Sequence, residues 1–221
     1  MSSLSQRLTA AEMADLAQTA EALAALFLAP PDLETVQALR SMPGQVALGR
    51  IGEVLNAGPE ADTLRQILAD GSAEEVVTAL GRRHTALFEG IFRQRSLPPY
   101  ASAWDGTGRL CGPAAGRAQA ILRDLDVHLD GTGEPADHLA VQLAALAEAL
   151  SQDRSEIAGR VLDELRWTDR FAAALTGADR TGFYGALARL VLALRTRLAA
   201  DAAAATDPGS EPLTCAATAQ I

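Results

Sequence analysis

The sequence predicts an all-α fold, and three observations carry that reading. Hydrophobic residues make up 48% of the 221-residue chain but aromatic residues only 4%. The core must therefore be built from Leu, Ala and Val, a mixture rich in helix formers and poor in the aromatic residues that favour strands. Apolar residues recur at three- and four-residue spacing in segment after segment, and capping residues and prolines stand where those segments begin and end.

Thr9-Ala10-Ala11-Glu12 reads as a capping box, followed by Met13, Leu16, Ala20, Leu23 and Phe27 at helical spacing until Pro30-Pro31. Asp32 caps a short second helix to about Arg40, and Pro43-Gly44 breaks it before a helical stretch through Leu55. Pro59 introduces a helix carrying Leu64, Ile67 and Leu68. Ser72 with Glu75 forms a second capping box ahead of Val76, Val77, Leu80, Leu87 and Phe88.

From Glu89 to Gly112 the periodicity disappears, making this the longest non-helical segment. Its centre holds Tyr100 and Trp104, which either cover the core as a lid or face a ligand. The glycines of Gly106-Thr107-Gly108-Arg109-Leu110-Cys111-Gly112 miss the dinucleotide spacing by one residue and follow no strand.

Pro113 suits the first turn of a helix running to about Leu129, and Asp130 to Gly133 form a turn. Pro135 excludes helix on its N-terminal side, so the next helix starts after it, with Asp137 as the expected N-cap. Leu139, Leu143, Leu146 and Leu150 form one face of that helix, which ends near Gln152. Ser155 is the expected cap of a helix carrying Ile157, Val161, Leu162 and Leu165, closed by Trp167 before a short element with Phe171 and Leu175. The last helix holds Phe183, Leu187, Leu190, Val191, Leu194 and Leu198. The expected organisation is a single all-helical domain over 1–204, comprising N-terminal helices (1–88), a long loop (89–112) and C-terminal helices (113–204), followed by a disordered tail over 205–221.

The formal net charge is −9, and all nineteen basic residues are arginine. Without lysine there is no Schiff base, Walker A motif or kinase-type ATP lysine. The acidic balance excludes nucleic acid and points to a basic partner. Cys111 and Cys215 have neither disulfide nor metal-ligand spacing, and no metal or other cofactor is expected. Glu12, Asp15 and Glu21 precede the apolar run Ala22 to Ala29, where a signal peptide would be basic, and no 18-residue apolar span follows. Neither membrane insertion nor export is therefore expected, and the expected location is the cytoplasm. His84, His128 and His138 show no metal-type pairing, so no catalytic residue is assigned. A first-turn position would favour the neutral form of His138.

Several blocks carry a resemblance that composition could not supply: Leu26-Phe27-Leu28 before prolines, Leu87-Phe88-Glu89-Gly90, Pro99 to Trp104, Leu110-Cys111-Gly112, Glu134 to Leu139, Leu165-Arg166-Trp167 and Phe183-Tyr184. In order and spacing the chain resembles the TorD family of cytoplasmic chaperones for molybdenum-containing redox enzymes, which includes DmsD- and NarJ-like proteins. The Glu-Pro-x-Asp-His block, here Glu134 to His138, is its most specific part. The resemblance implies a compact multi-helix bundle of the TorD-like type that binds the apo catalytic subunit of a molybdoenzyme, often through its basic and apolar twin-arginine leader, until the cofactor is inserted. It also implies a peptide-binding region of Pro99, Tyr100, Ser102, Trp104, Gly112, Glu134, Pro135, Asp137 and His138. One position departs from the pattern: the usual acid of the Pro-Tyr-Glu-Ser block is Ala101.

A helical adaptor joining folded redox subunits without leader recognition is the alternative; nucleotide-responsive control fits the missing lysine poorly. Oligomeric state is open between a monomer and a domain-swapped homodimer.

Overall fold

The computed structural model describes residues 8–89, 96–105, 112–128 and 133–204. Helix α1 (Ala10–Leu28) starts at the predicted capping box: Thr9 Oγ1 accepts the Glu12 N–H at 3.2 Å and Glu12 Oε2 accepts the Thr9 N–H at 2.8 Å. Asp32 caps α2 (Leu33–Arg40) by accepting the Thr35 N–H at 2.8 Å. Ser41, not Pro43-Gly44, separates α2 from α3 (Met42–Val54), and Pro43 lies in the first turn of α3, where its missing N–H costs nothing. Gly44 is required there because a β-carbon would collide with the Ala38 carbonyl oxygen.

Helix α4 (Gly58–Ala69) has Pro59 in its first turn, and α5 (Ala73–Phe88) opens on the capping box of Ser72 and Glu75. The long loop contains one helical turn, α6 (Ala101–Trp104), too short to leave a periodic signal. Helix α7 (Pro113–Asp124) ends earlier than its apolar pattern suggests, because Asp126 takes a left-handed conformation with φ 59°. Helices α8 (Leu139–Ser151), α9 (Ser155–Glu164), α10 (Thr168–Ala178) and α11 (Phe183–Ala204) complete the chain, with a 3₁₀ turn at Leu165–Trp167. Ser155 is the first helical residue rather than the cap, a position taken by Arg154 without a capping bond from its side chain.

Leucine spacing predicts one apolar face for α8, but the structure buries it on nearly every side, including Ala140, Val141, Ala145, Ala147 and Ala149. A helix apolar all round belongs in the interior. Its most extensive neighbour is α1. The few aromatic residues are concentrated: Phe171 packs on Phe27, Phe88, Trp104 and Trp167 with ring centroids 6.2, 6.3, 5.7 and 5.4 Å away. This cluster ties α1, α5, α6 and α10 together.

Among the described residues there is no strand, and no helix is long and apolar enough to cross a membrane. The predicted tail with Cys215, the loop residues Gly106 to Cys111 and the turn residues Asp130 to Thr132 lie outside the described residues.

Candidate functional site

The two most distinctive sequence blocks, Pro99 to Trp104 and Glu134 to Leu139, lie against each other as a clasp. Tyr100 and His138 form an isolated antiparallel bridge. The Ala101 N–H donates to Asp137 O at 2.9 Å and the Leu139 N–H to Pro99 O at 2.8 Å. Pro135 contributes a turn, its carbonyl accepting the His138 N–H at 3.0 Å.

Asp137 does not cap α8. Its Oδ2 accepts the Ser102 N–H at 3.0 Å, so it holds the start of α6, 35 residues away in sequence. The cap of α8 is His138, whose Nδ1 accepts the Ala140 N–H at 3.1 Å. That bond requires an unprotonated Nδ1, and burial pushes the His138 pKa below its ordinary value, so the ring is neutral, with burial as the main cause. The Tyr100 hydroxyl donates to Glu134 Oε2 at 2.8 Å, and its ring packs edge-on to His138 at 5.0 Å. Burial, followed by the bond to Glu134, raises the Tyr100 pKa and keeps the phenol protonated. Trp104 Nε1 donates to Pro98 O at 2.9 Å.

The nine expected site residues divide into two sets. Pro99, Ser102, Asp137 and His138 are buried, with Asp137 0% exposed. Tyr100, Trp104, Gly112, Glu134 and Pro135 remain part-exposed. Eight of the nine belong to the clasp; Gly112 is instead the N-cap residue of α7, which packs on α6. Within the buried set, Asp137 Oδ1 and Ser102 Oγ have no hydrogen-bond partner among the described residues. Trp104 packs against Phe171 in a T-shaped contact and remains part-exposed, as a residue covering the core would. To a ligand the patch offers aromatic faces and the Glu134 carboxyl, which is chemistry for recognition.

Sequence reasoning missed two features. Asp179 is buried and accepts from Arg83 Nε at 2.8 Å and from the Gly185 N–H at 3.0 Å, joining α5 to the start of α11. Gly185 is obligatory in that joint, since a β-carbon would collide with the Asp179 carbonyl oxygen. The second is His84, buried on α5 with Nδ1 facing Glu89 Oε1 at 3.2 Å but not aligned as a hydrogen bond. Burial lowers its pKa, with Glu89 opposing. Among the described residues no group of three His, Cys, Asp or Glu side chains is placed to hold a metal.

A family model described as nitrate reductase delta subunit matches residues 55–178, which include the whole clasp. The chain is 29% identical over 180 residues to the chaperone protein TorD of Shewanella loihica, covering 76% of this chain and 83% of that protein. It is 34% identical over 112 residues to the chaperone protein TorD of Vibrio cholerae, covering 44% and 51% respectively. A crystal structure from Archaeoglobus fulgidus, described as a redox enzyme maturation protein, has the same fold, with a TM-score of 0.52 and 23% identity over 81% of this chain and 93% of that one.

Proposed function

Because the chain belongs to the nitrate reductase delta subunit family, with TorD chaperones among its relatives, we propose that it is a non-catalytic cytoplasmic chaperone for a molybdoenzyme. It holds the apo catalytic subunit, through a twin-arginine leader, until cofactor insertion. The observation that carries this reading is the clasp. It presents Tyr100, Trp104, Glu134 and Pro135 as one part-exposed aromatic and acidic patch on a buried support of Pro99, Ser102, Asp137 and His138.

Magnitudes divide the work. Burying about 400 Å² of apolar leader yields about 10 kcal/mol gross before ordering costs. An exposed arginine–carboxylate pair contributes only about 0.2 to 1 kcal/mol. Glu134, the carboxylate of the patch, therefore sets encounter rate and discrimination against non-basic peptides. Calorimetric titration of the cognate leader into the full chain tests the reading. Saturable binding that weakens in Trp104→Ala supports it; no binding to any cognate leader or apo-subunit sinks it.

The adaptor reading draws on one observation: Met42 and Val46, 78% and 63% exposed, stand one turn apart on α3. Co-purification of a mature complex, indifferent to the leader and lost in Met42→Glu, would favour it.

A further inference from the structure

Helices α1, α7 and α8 frame a groove of about 410 Å³ that no site residue expected from the sequence lines. This volume lies within the range of specific binding pockets, roughly 300 to 1,000 Å³. Its walls are dominated by small side chains, including Ala24, Ala25 and Ala144, with Leu28, 39% exposed, at one end. Among the described residues that line it, Glu21 and Glu148 are the charged ones and none is basic.

From these features we infer that the groove docks a helical segment of the client, aliphatic on one face and basic at its flanks. This inference rests on the chaperone reading and extends it to a second surface on α8. Two physical points select that occupant. First, both long walls are helices whose backbone groups are spent on their own turns, so an extended peptide would find no ladder of partners, whereas a helix satisfies its own N–H and C=O groups. Alanine walls let such a helix approach closely. Second, the acidic lining selects against the other candidates. A second copy brings a formal charge of −9, and this chain's own residues 205–221 contain Asp207 and Glu211 but no base.

The test uses the full chain and a fluorescent probe peptide with leucines at i, i+3, i+4 and i+7 and arginines at both ends. The probe binds and gains helicity, while a version with a central proline does not bind. Ala144→Arg, at an exposed helical position, weakens binding at least about tenfold without shifting Tm. Ala25→Gln on the opposite wall repeats the measurement should the first variant fold poorly. Glu21→Arg with Glu148→Arg weakens binding about three- to fivefold and removes its salt dependence. Equal binding of the proline probe, unchanged affinity in both wall variants, or a dimer that dissociates in Ala144→Arg would each overturn the inference. A cognate leader that binds while the probe does not defeats the groove and leaves the chaperone reading standing. A probe that binds where no leader or apo-subunit does defeats the chaperone reading and leaves the groove standing.

Discussion

Asp137 and Asp179 are both buried aspartates that pin a helix start to a distant part of the chain, yet they are built to different standards. Asp179 has a partner for each oxygen: Arg83 Nε on Oδ1 and the Gly185 N–H on Oδ2. Asp137 has one, the Ser102 N–H on Oδ2, while Oδ1 is buried without a partner among the described residues. A buried polar atom left unsatisfied costs about 1 to 3 kcal/mol. The Asp179 joint is therefore the better satisfied of the two, and the Asp137 joint carries a deficit within the surface proposed for recognition. Such deficits gather at functional sites.

Three experiments can break or sharpen this contrast. The largest effect is expected from Asp179→Ala, which removes the partner of Arg83 Nε, leaving that guanidinium its bond to Ala178 O, and frees the start of α11. Breaking a fully buried pair costs about 3 to 5 kcal/mol, and with the Arg83 side chain 41% exposed the expected loss is about 2 to 3 kcal/mol in chemical denaturation, with leader affinity of the folded fraction unchanged. Asp137→Ala should lose about 1 kcal/mol or less, because the lost bond to Ser102 is offset by removal of the orphaned oxygen. Leader affinity, in contrast, should fall by about tenfold as α6 loosens beneath Tyr100 and Trp104. Equal destabilisation by the two substitutions would erase the distinction between the joints.

The smallest effect is expected from pH. Burial lowers the folded pKa of His138 below its ordinary 6.5, so the folded chain favours the neutral ring. The resulting stability is fully present above pH 6.5 and is lost as pH falls towards the depressed value, where the unfolded chain takes up the proton first. His84 contributes in the same direction. His138→Asn keeps a side chain able to cap but removes the proton, so the stability difference between wild type and variant should decline from pH 7.5 to 5. A flat difference would show that the clasp does not sense protonation.

Much of the fold was legible because its signals are local. The capping boxes of Thr9 and Ser72, Asp32 before α2 and Pro113 at the head of α7 all act within a single turn. The candidate site was legible as two blocks but not as one object, because their pairing is tertiary. Asp137 is a good N-cap by type, yet the Ser102 N–H 35 residues away claims it, and His138, a residue type rarely read as a cap, takes over. Arg83 and Asp179, 96 residues apart, left no sequence signal. The groove was hidden for a different reason: alanine satisfies helix propensity wherever it occurs, so Ala25 and Ala144 do not reveal in sequence that they line a surface.

The bridge between Tyr100 and His138 has one more consequence, for the order in which the molecule assembles. It closes a loop that contains all of α7, and closure entropy must be met before so few hydrogen bonds can repay it. Closing the loop therefore becomes favourable only after α7 has docked and α8 has settled against α1. The clasp is then the last of these contacts to set and the first to come undone, so the surface proposed for recognition takes shape only once the helices around it have packed.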